Sequence, residues 1–464
     1  MIKDIVNKVK NQEVTVKEVV LEAIKKAEAV QDKNALIKLT KESALKKAEE
    51  LDKKIKAGNK EGKLLGVPYV VKDNFLTLLD ETTAASKMLE DFKAPLEATV
   101  IKKLEAEGAI YIGKSNLDAF AHGGSTENSF FGVTKNAFDN ERVAGGSSGG
   151  SAVITALDVV PFALGSDTGG SIRQPASFNG VFGVKPTYGT VSRFGVVAMA
   201  SSTDTIGCFS KTVEDSEIVM EIISGKDKKD MTTLDDFFKI ETEPPKNKKI
   251  AIIKDFMTDA VDPEVLKITN DYIDRLKQAG HEVEEVSMPI LKYTLAIYYV
   301  LIPAEVSSNL ARYDGIRYGF RAESNSLDEL YGKSRDQGFM PENKRRILIG
   351  SFVLSSGFFD AYYLKAQKAR TLLKQAFDDV LGKYDALIGP VSPTPAFKIG
   401  ENTDDPIKMY LADIMTVPAS LVGLPAMSVP AGKTSLGLPV NVQLIGKAKD
   451  DAKLMALAKS VEIQ

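Results

Sequence analysis

Residues Gly145 to Ser151 read GGSSGGS, and a second glycine-serine run, Gly165-Ser166-Asp167-Thr168-Gly169-Gly170-Ser171-Ile172-Arg173, follows shortly after. A phosphate cradle needs a Lys and a Ser/Thr directly after its last glycine, and Gly150 is followed by Ser151-Ala152, which removes that reading. A nucleophile elbow, G-x-S-x-G, fits Gly146 to Gly150 with Ser148 as its serine, but it needs a preceding strand and a downstream Asp and His. The preceding NAFDNERVAG reads poorly as a strand. The only downstream histidine is His281, in QAGHEVEE, where a solvent-facing turn residue is expected. A flexible linker has the same composition, although the apolar SAVITALDVVPFALG follows at once and reads as core helix and strand. The second run offers different chemistry. Consecutive glycines let backbone N–H groups converge where an oxyanion develops, so Thr168, Gly169 and Gly170 are candidate donors beside Ser171 as nucleophile. Lys72 ends the apolar strand LLGVPYVV, and burial there would lower its pKa toward that of a useful base.

Scarcity narrows the field. The chain has 464 residues, with one cysteine (Cys208), two histidines (His122 and His281) and no tryptophan. It cannot supply the His/Cys cluster of a typical zinc site, so no metal is expected, and hydrolysis must run mostly without imidazole. One cysteine allows no intrachain disulfide, which fits a cytoplasmic location. Hydrophobic residues at 44% and charged residues at 27% are those of a globular protein. A formal charge of −3 argues against a global nucleic-acid-binding surface. No apolar run is expected to reach the ~18–20 residues that span a bilayer. MIKDIVNKVKNQEV alternates charged and apolar residues, so no signal peptide is expected.

The elements that must hold these residues read as an α/β layered fold. Thr15 to Glu18 is a capping box that opens an amphipathic helix to about Val30, and a charged helix covers Lys41 to Lys56. From Leu64, strands and helices alternate: a strand ending at Lys72, a helix stopped by Gly108, the strand AIYIG, then DVVPFALG as a buried strand. Residues 225–249 form a polar surface excursion. KIAIIK, a helix opened by Asp262-Pro263 and closed by Gly280, and HEVEEVS follow. Long helices are expected at about 293–312 and 352–382, and the chain closes with the strands ALIGP, AMSVP and VNVQLIG. One large domain (1–464) with a helical N-terminal arm (1–60) accounts for this order.

GGSSGGSA followed by GSDTGGSIRQPASFNGVFGVKPTYG, with GVPYVVKDN upstream, resembles the amidase signature family. The resemblance implies a mixed sheet of about eleven strands between helical layers. Ser171 would be the nucleophile, Ser147 a bridging serine held through a cis peptide bond, and Lys72 the base at the end of the relay. In this reading GGSSGGS is a catalytic loop. SNLDAFAHGGSTENSFFGVTKN, AEVSSNLARYDGIRYG and KRRILIGSFVLSSGFFDAYYLKAQKAR look like the glutaminase subunits of tRNA-dependent amidotransferases. Such a protein hydrolyses glutamine and passes ammonia to the amidotransferase B subunit. The whole enzyme is a carbon–nitrogen ligase with glutamine as amido donor, and that partner uses ATP and Mg to amidate misacylated tRNA, Glu-tRNA(Gln) and in some organisms Asp-tRNA(Asn). The smaller C subunit wraps the interface between the other two. The resemblance implies no cofactor in this chain, no membrane, and tRNA contacted mainly through the B subunit. It also implies that Arg346 and Asp413 hold the glutamine α-carboxylate and α-amino group, with Tyr298 adding a contact. Arg345 and Tyr299 adjoin these positions.

Two residues depart from the family pattern: His122 stands where Met is usual, and Cys208 where Pro is usual. Packing is the expected role of His122. A free-standing amidase acting on other small amides would use the same Ser-Ser-Lys set. A non-catalytic scaffold would have lost Lys72, Ser147 or Ser171, and all three are present.

Overall fold

The computed structural model describes residues 1–241, 243 and 245–461. Eleven strands form one sheet: β1 (Leu36–Leu39), β2 (Pro68–Lys72), β3 (Ile110–Ser115), β4 (Phe162–Asp167), β5 (Phe182–Lys185), β6 (Thr205–Ser210), β7 (Lys249–Ile253), β8 (Glu282–Val286), β9 (Ala386–Pro390), β10 (Ala426–Lys433) and β11 (Pro439–Gly446). Their order across the sheet is β1-β3-β2-β4-β6-β5-β10-β11-β9-β7-β8. The sheet is mixed: β3, β2 and β4 run parallel, as do β9, β7 and β8, and the pairings between these two groups are antiparallel. The central strands β2, β3, β4, β6 and β11 are buried along their whole length. That explains their continuous apolar runs, since helices cover both faces.

The parallel trio β3-β2-β4 positions the chemistry. Lys72 is the last residue of β2, the turn 168–171 leaves the end of β4, and the loop from Asn116 to Asn128 leaves the end of β3. Three neighbouring strands thus release their chains at the same carboxyl edge, where open α/β sheets place their ligands. The helix Gly149–Ala156 lies against this trio, and Ser151 Oγ anchors it by donating to the Leu164 carbonyl (2.9 Å). A Cβ at Gly150 would run into the Ala35 carbonyl and the Asn116 backbone, so only glycine permits this approach. GGSSGGS is therefore no linker: its last three residues are the first turn of a core helix.

The N-terminal pattern reads true. Thr15 and Glu18 form a capping box on Val16–Ala29, and Lys41–Lys56 is helical. Asp262 caps Pro263–Gln278, and Gly280 follows with φ +89°. Elsewhere the structure corrects the sequence. Residues 158–161 are not strand, because Asp158 takes φ +55° and β4 begins only at Phe162. The expected helix 352–382 is broken: Pro341–Val353 ends it early, Gly357 turns the chain at φ +85°, a π-helical turn covers Phe359–Leu364, and Lys365–Leu381 follows. The 225–249 excursion carries no regular element before Lys249, yet it is pinned to the body. Asp227 accepts from Thr99 (2.6 Å) and Ser192 (2.7 Å), and Phe238 is buried. Residues 242 and 244 of that stretch lie outside the described ones. Among the described residues one run, Pro289–Arg312, is long and apolar enough to cross a membrane, contrary to expectation. Half of its apolar 18-residue window is buried within the protein, with Ile297, Leu301 and Ile302 in the core and Pro303 inside the helix.

Candidate active site

Lys72 is fully buried, and its Nζ lies 2.7 Å from Ser147 Oγ, 3.0 Å from Ser166 Oγ and 3.3 Å from the Ser166 carbonyl. Burial lowers its pKa to about 7 against the opposing pull of Asp118, Asp167 and Asp204. Near neutrality a large share of Lys72 is thus uncharged, with a lone pair available to the Ser147 hydroxyl. Asn74 Nδ2 donates to Ser166 Oγ (3.0 Å), fixing that hydroxyl beside Lys72 Nζ.

Ser147 follows a cis peptide bond from Gly146. A Cβ on Gly146 would run into the Asp118 carboxylate, which explains a glycine there. Asp118 accepts from the Thr126 N–H (2.9 Å) and the Asn128 N–H (3.1 Å), so it holds the 118–128 loop closed. Burial raises its pKa to about 7 in spite of those two donors. Gly146 N donates to Gln174 Oε1 (2.9 Å), and Gln174 Nε2 donates to the Gly124 carbonyl (2.7 Å). One side chain therefore ties the serine loop to the loop after β3.

Ser171 is bound to the same assembly through its carbonyl, which accepts from Ser148 N (3.2 Å). The backbone N–H groups of Thr168, Gly169, Gly170 and Ser171 have no acceptor among the described residues, so they remain available to a developing oxyanion. The Thr168 hydroxyl is engaged by Asp204 (2.7 Å). The turn is held rigidly. Asp167 takes Arg173 through Nε (3.0 Å) and Nη2 (2.9 Å), and Arg173 reaches on to the Thr416 carbonyl (2.7 Å) and Gln443 (2.6 Å). This ion pair is fully buried and satisfied by further hydrogen bonds, as such a pair must be.

A cavity of about 240 Å³ opens beside Asp118 and Gly124 and is lined also by Glu342, Arg346, Met409 and Tyr410. Arg346 is buried, and its Nε donates to Glu342 (2.8 Å), one helical turn earlier. Both terminal nitrogens of Arg346 have no acceptor among the described residues, an arrangement that can grip a carboxylate with two N–H bonds. Tyr299 and Tyr410, stacked at 3.9 Å, flank its guanidinium at 5.5 and 5.7 Å. Arg345 is exposed and pairs with Glu342. Tyr298 is buried with its hydroxyl beside Gly169, where a Cβ would meet it at 2.6 Å. Tyr298 therefore faces the serine turn and Tyr299 the guanidinium.

Asp413 does not sit in a helical run. It lies in the turns between Pro406–Leu411 and Val417–Leu421. Its Oδ1 is enclosed without a partner, and its Oδ2 would lie 3.5 Å from a Cβ on Gly124. Burial raises its pKa to about 8, with Arg346 pulling the other way. Thr416 Oγ1 donates to the Gly169 carbonyl (2.7 Å) and makes a second, longer contact with the Asp413 carbonyl (3.0 Å), so Asp413 and the serine turn are neighbours.

The alternative nucleophiles fall away. Ser148 Oγ is buried and donates to the Ser166 carbonyl (3.2 Å). His281 stands before β8 at the far edge of the sheet from β4, which leaves the elbow without its histidine. It is also buried, not solvent-facing, and its Nδ1 accepts from Lys248 N (3.3 Å). Cys208 lies inside β6, and burial pushes its thiol up to about 12. Sequence reasoning missed Asp118, Ser166 and Glu342. Glu342 had a readable signal, since it precedes Arg346 by four residues on one helix. Asp118 and Ser166 had none beyond their place inside recognised motifs.

A family model for amidases matches residues 18–455. The chain belongs to the amidase family. It is 49% identical to the A subunit of the glutamyl-tRNA(Gln) amidotransferase of Carboxydothermus hydrogenoformans, covering 99% of this chain and 96% of that one. It is 50% identical to the protein of the same name from Picosynechococcus sp., covering 96% and 94%. The crystal structure of the corresponding glutamyl-tRNA(Gln) amidotransferase chain from Thermotoga maritima superposes with a TM-score of 0.78 at 40% identity, over 97% of this amidase and 94% of that chain.

Proposed function

We propose that this amidase is the glutaminase subunit of a tRNA-dependent amidotransferase. The observation that carries the reading is the buried Lys72–Ser147 contact (2.7 Å) in one assembly with the free N–H groups before Ser171, together with Arg346, paired with Glu342 through Nε alone, and the unpartnered Oδ1 of Asp413. The near-complete match to relatives bearing that name supports it. Ser171 Oγ attacks the carboxamide carbon of glutamine and loses its proton to Ser147, which passes one to neutral Lys72. Thr168, Gly169 and Gly170 N–H groups, with that of Ser171 beside them, receive the tetrahedral oxyanion, and Asp204 holds the Thr168 hydroxyl at the start of the turn. Collapse, with the proton held by Lys72 returned through Ser147 to the leaving nitrogen, expels ammonia and leaves a γ-glutamyl ester on Ser171, which water then hydrolyses to glutamate. Arg346 binds the α-carboxylate, Asp413 the α-ammonium, and Tyr298 closes the wall between them and the serine turn.

In this reading the chain itself needs no cofactor. The B subunit uses ATP with Mg to activate the misacylated glutamate on tRNA, the C subunit braces the pair, and the complex works in the cytoplasm. Purification of the complex with its partner chains tests this: glutamine should support amidation of Glu-tRNA(Gln) only when tRNA and ATP are present. A purified chain that turns over small amides at full rate without partners, and shows no preference for glutamine, would overturn it.

A further inference from the structure

Glu342 stands where it could spoil the recognition end. A carboxylate beside an arginine commonly takes two parallel N–H bonds from it. Glu342 precedes Arg346 by one helical turn, and a bidentate pair would occupy a terminal nitrogen that a substrate carboxylate needs. The structure shows a different pairing. Glu342 Oε1 accepts from Arg346 Nε (2.8 Å), and Glu342 makes no hydrogen bond with either terminal nitrogen.

Two other donors hold it there. Tyr410 Oη donates to the same Oε1 (3.0 Å), and Arg345 Nη1 donates to Oε2. Oε2 is the oxygen that a bidentate pair would give to the Arg346 fork, and Arg345 has taken it. The Tyr410 bond fixes the rotation of the carboxylate. All four side chains line the cavity of about 240 Å³, so this arrangement faces the space a substrate would fill. Tyr410 is tied further: its ring stacks on Tyr299 at 3.9 Å, and its carbonyl accepts from Asp413 N (3.2 Å). One turn of chain thus carries both the hydroxyl that holds Glu342 and the acceptor for the α-ammonium.

We propose that Tyr410, seconded by Arg345, is a positioning residue that keeps Glu342 on Nε and so leaves both terminal nitrogens of Arg346 open to the substrate α-carboxylate. The proposal rests on the glutaminase reading above. Glu342 then braces the guanidinium instead of competing for it, and Arg345 contributes without touching the substrate.

The test uses the assembled amidotransferase with glutamine and with 4-aminobutanamide, which is glutamine without its carboxylate. A hydrogen bond to a charged group corresponds to about 10–100-fold in an equilibrium. Tyr410→Phe should therefore raise KM for glutamine about 10-fold or more at little changed kcat. Arg345 is exposed, and exposed pairs are weak, so Arg345→Ala should raise it about 2–5-fold. The Ki of glutamate, which keeps the α-carboxylate, should rise in step, and 4-aminobutanamide should respond to neither change. Both losses should vanish in a Glu342→Gln background, because a neutral amide cannot compete for the fork. Losses that persist there mean that Tyr410 or Arg345 meets the substrate itself. Equal losses with both amides make Tyr410 a packing residue, and an unchanged KM and Ki mean that Glu342 needs no restraint. Each of these overturns the proposal. A wild-type enzyme that turns over 4-aminobutanamide as readily as glutamine sinks the glutaminase reading itself. One that prefers glutamine undiminished by Tyr410→Phe sinks only this inference.

Discussion

The two ends of the site are built in opposite ways. The catalytic end, Lys72, Ser147 and Ser171, comes from 100 residues of chain whose turns leave three adjacent parallel strands, and bonds donated by the backbone lock it: Ser148 N to the Ser171 carbonyl, Gly146 N to the Gln174 side chain. The recognition end, Tyr298, Arg346 and Asp413, comes from helices and turns off the sheet, and side chains hold it: Glu342, Tyr299 and Tyr410 around one guanidinium. The catalytic end leaves donors free on the backbone. The recognition end leaves charge free on side chains. Reactivity is thus fixed by the fold, whereas the choice of amide depends on a few exchangeable groups.

The largest effect that sharpens this contrast is at the nucleophile. Ser171→Ala or Lys72→Ala should lower glutamine hydrolysis by about 10⁴-fold or more, whatever amide is offered, while ammonia-dependent amidation by the complex persists. Ser147→Ala should cost about 10²-fold or more. His281→Ala and Cys208→Ala should stay within a few-fold in the same assay. Trapping the acyl-enzyme with a γ-glutamyl analogue and mapping it by peptide mass should return Ser171; a label on Cys208 or Ser148 breaks the scheme.

At the other end the loss should depend on the substrate. Removing one member of a desolvated charge pair costs about 2–5 kcal/mol, so Arg346→Lys or Asp413→Ala should lower kcat/KM for glutamine roughly 10²-fold or more. A lysine cannot reproduce the two parallel N–H bonds of the guanidinium. A simple amide without α-groups should lose much less. Steady-state kinetics on both substrates decide it: equal losses would mean that the recognition end also shapes the catalytic one.

The pH profile separates the ends by about one decade per limb. Lys72 must be neutral to act, so activity should rise through its pKa of about 7. Asp413, a carboxyl held up to about 8, must ionise to meet an ammonium, so kcat/KM for glutamine should rise again through about 8. Asp413→Asn should erase the upper limb only, and a simple amide should show the lower limb alone.

The same contrast explains what could be read in advance. Lys72, Ser147 and Ser171 sit inside short motifs whose glycines are demanded by local geometry, as at Gly146 and Gly150, so the letters themselves carry the site. The α/β layering was legible from the alternation of apolar runs and the eleven-strand sheet only from the family resemblance, and β4 begins at Phe162 because Asp158 turns the chain first. Arg346 and Asp413 had no local signature. The pattern 352–382 hid a break at Gly357, since exposed apolar residues such as Phe358 and Phe359 carry no period that distinguishes a turn from a helix. Asp118 closes its own loop through its carboxylate, a role set by three-dimensional closure and invisible in a string.

The smallest effect is on stability, and its sign differs between the ends. Lys72 is depressed to about 7 from 10.5, so between those values the unfolded chain binds a proton that the folded one refuses. Its penalty is absent above pH 10.5 and grows as pH falls toward 7. Asp413 is raised to about 8 from 3.8, so over that span the folded chain holds a proton that the unfolded one has released. Its penalty is absent below pH 3.8 and grows as pH rises toward 8. Each should reach a few kcal/mol at most, since one pKa unit corresponds to about 1.4 kcal/mol. Lys72→Met should therefore gain Tm over the wild type increasingly from pH 10 down to 7, and Asp413→Asn increasingly from pH 5 up to 8, each by a few degrees. Thermal melts of both variants across pH measure the slopes directly, and the slope matters more than the offset, because Lys72→Met also removes contacts with Ser147 and Ser166. Parallel slopes would show that the two ends share one electrostatic penalty, and the division drawn between them would fail.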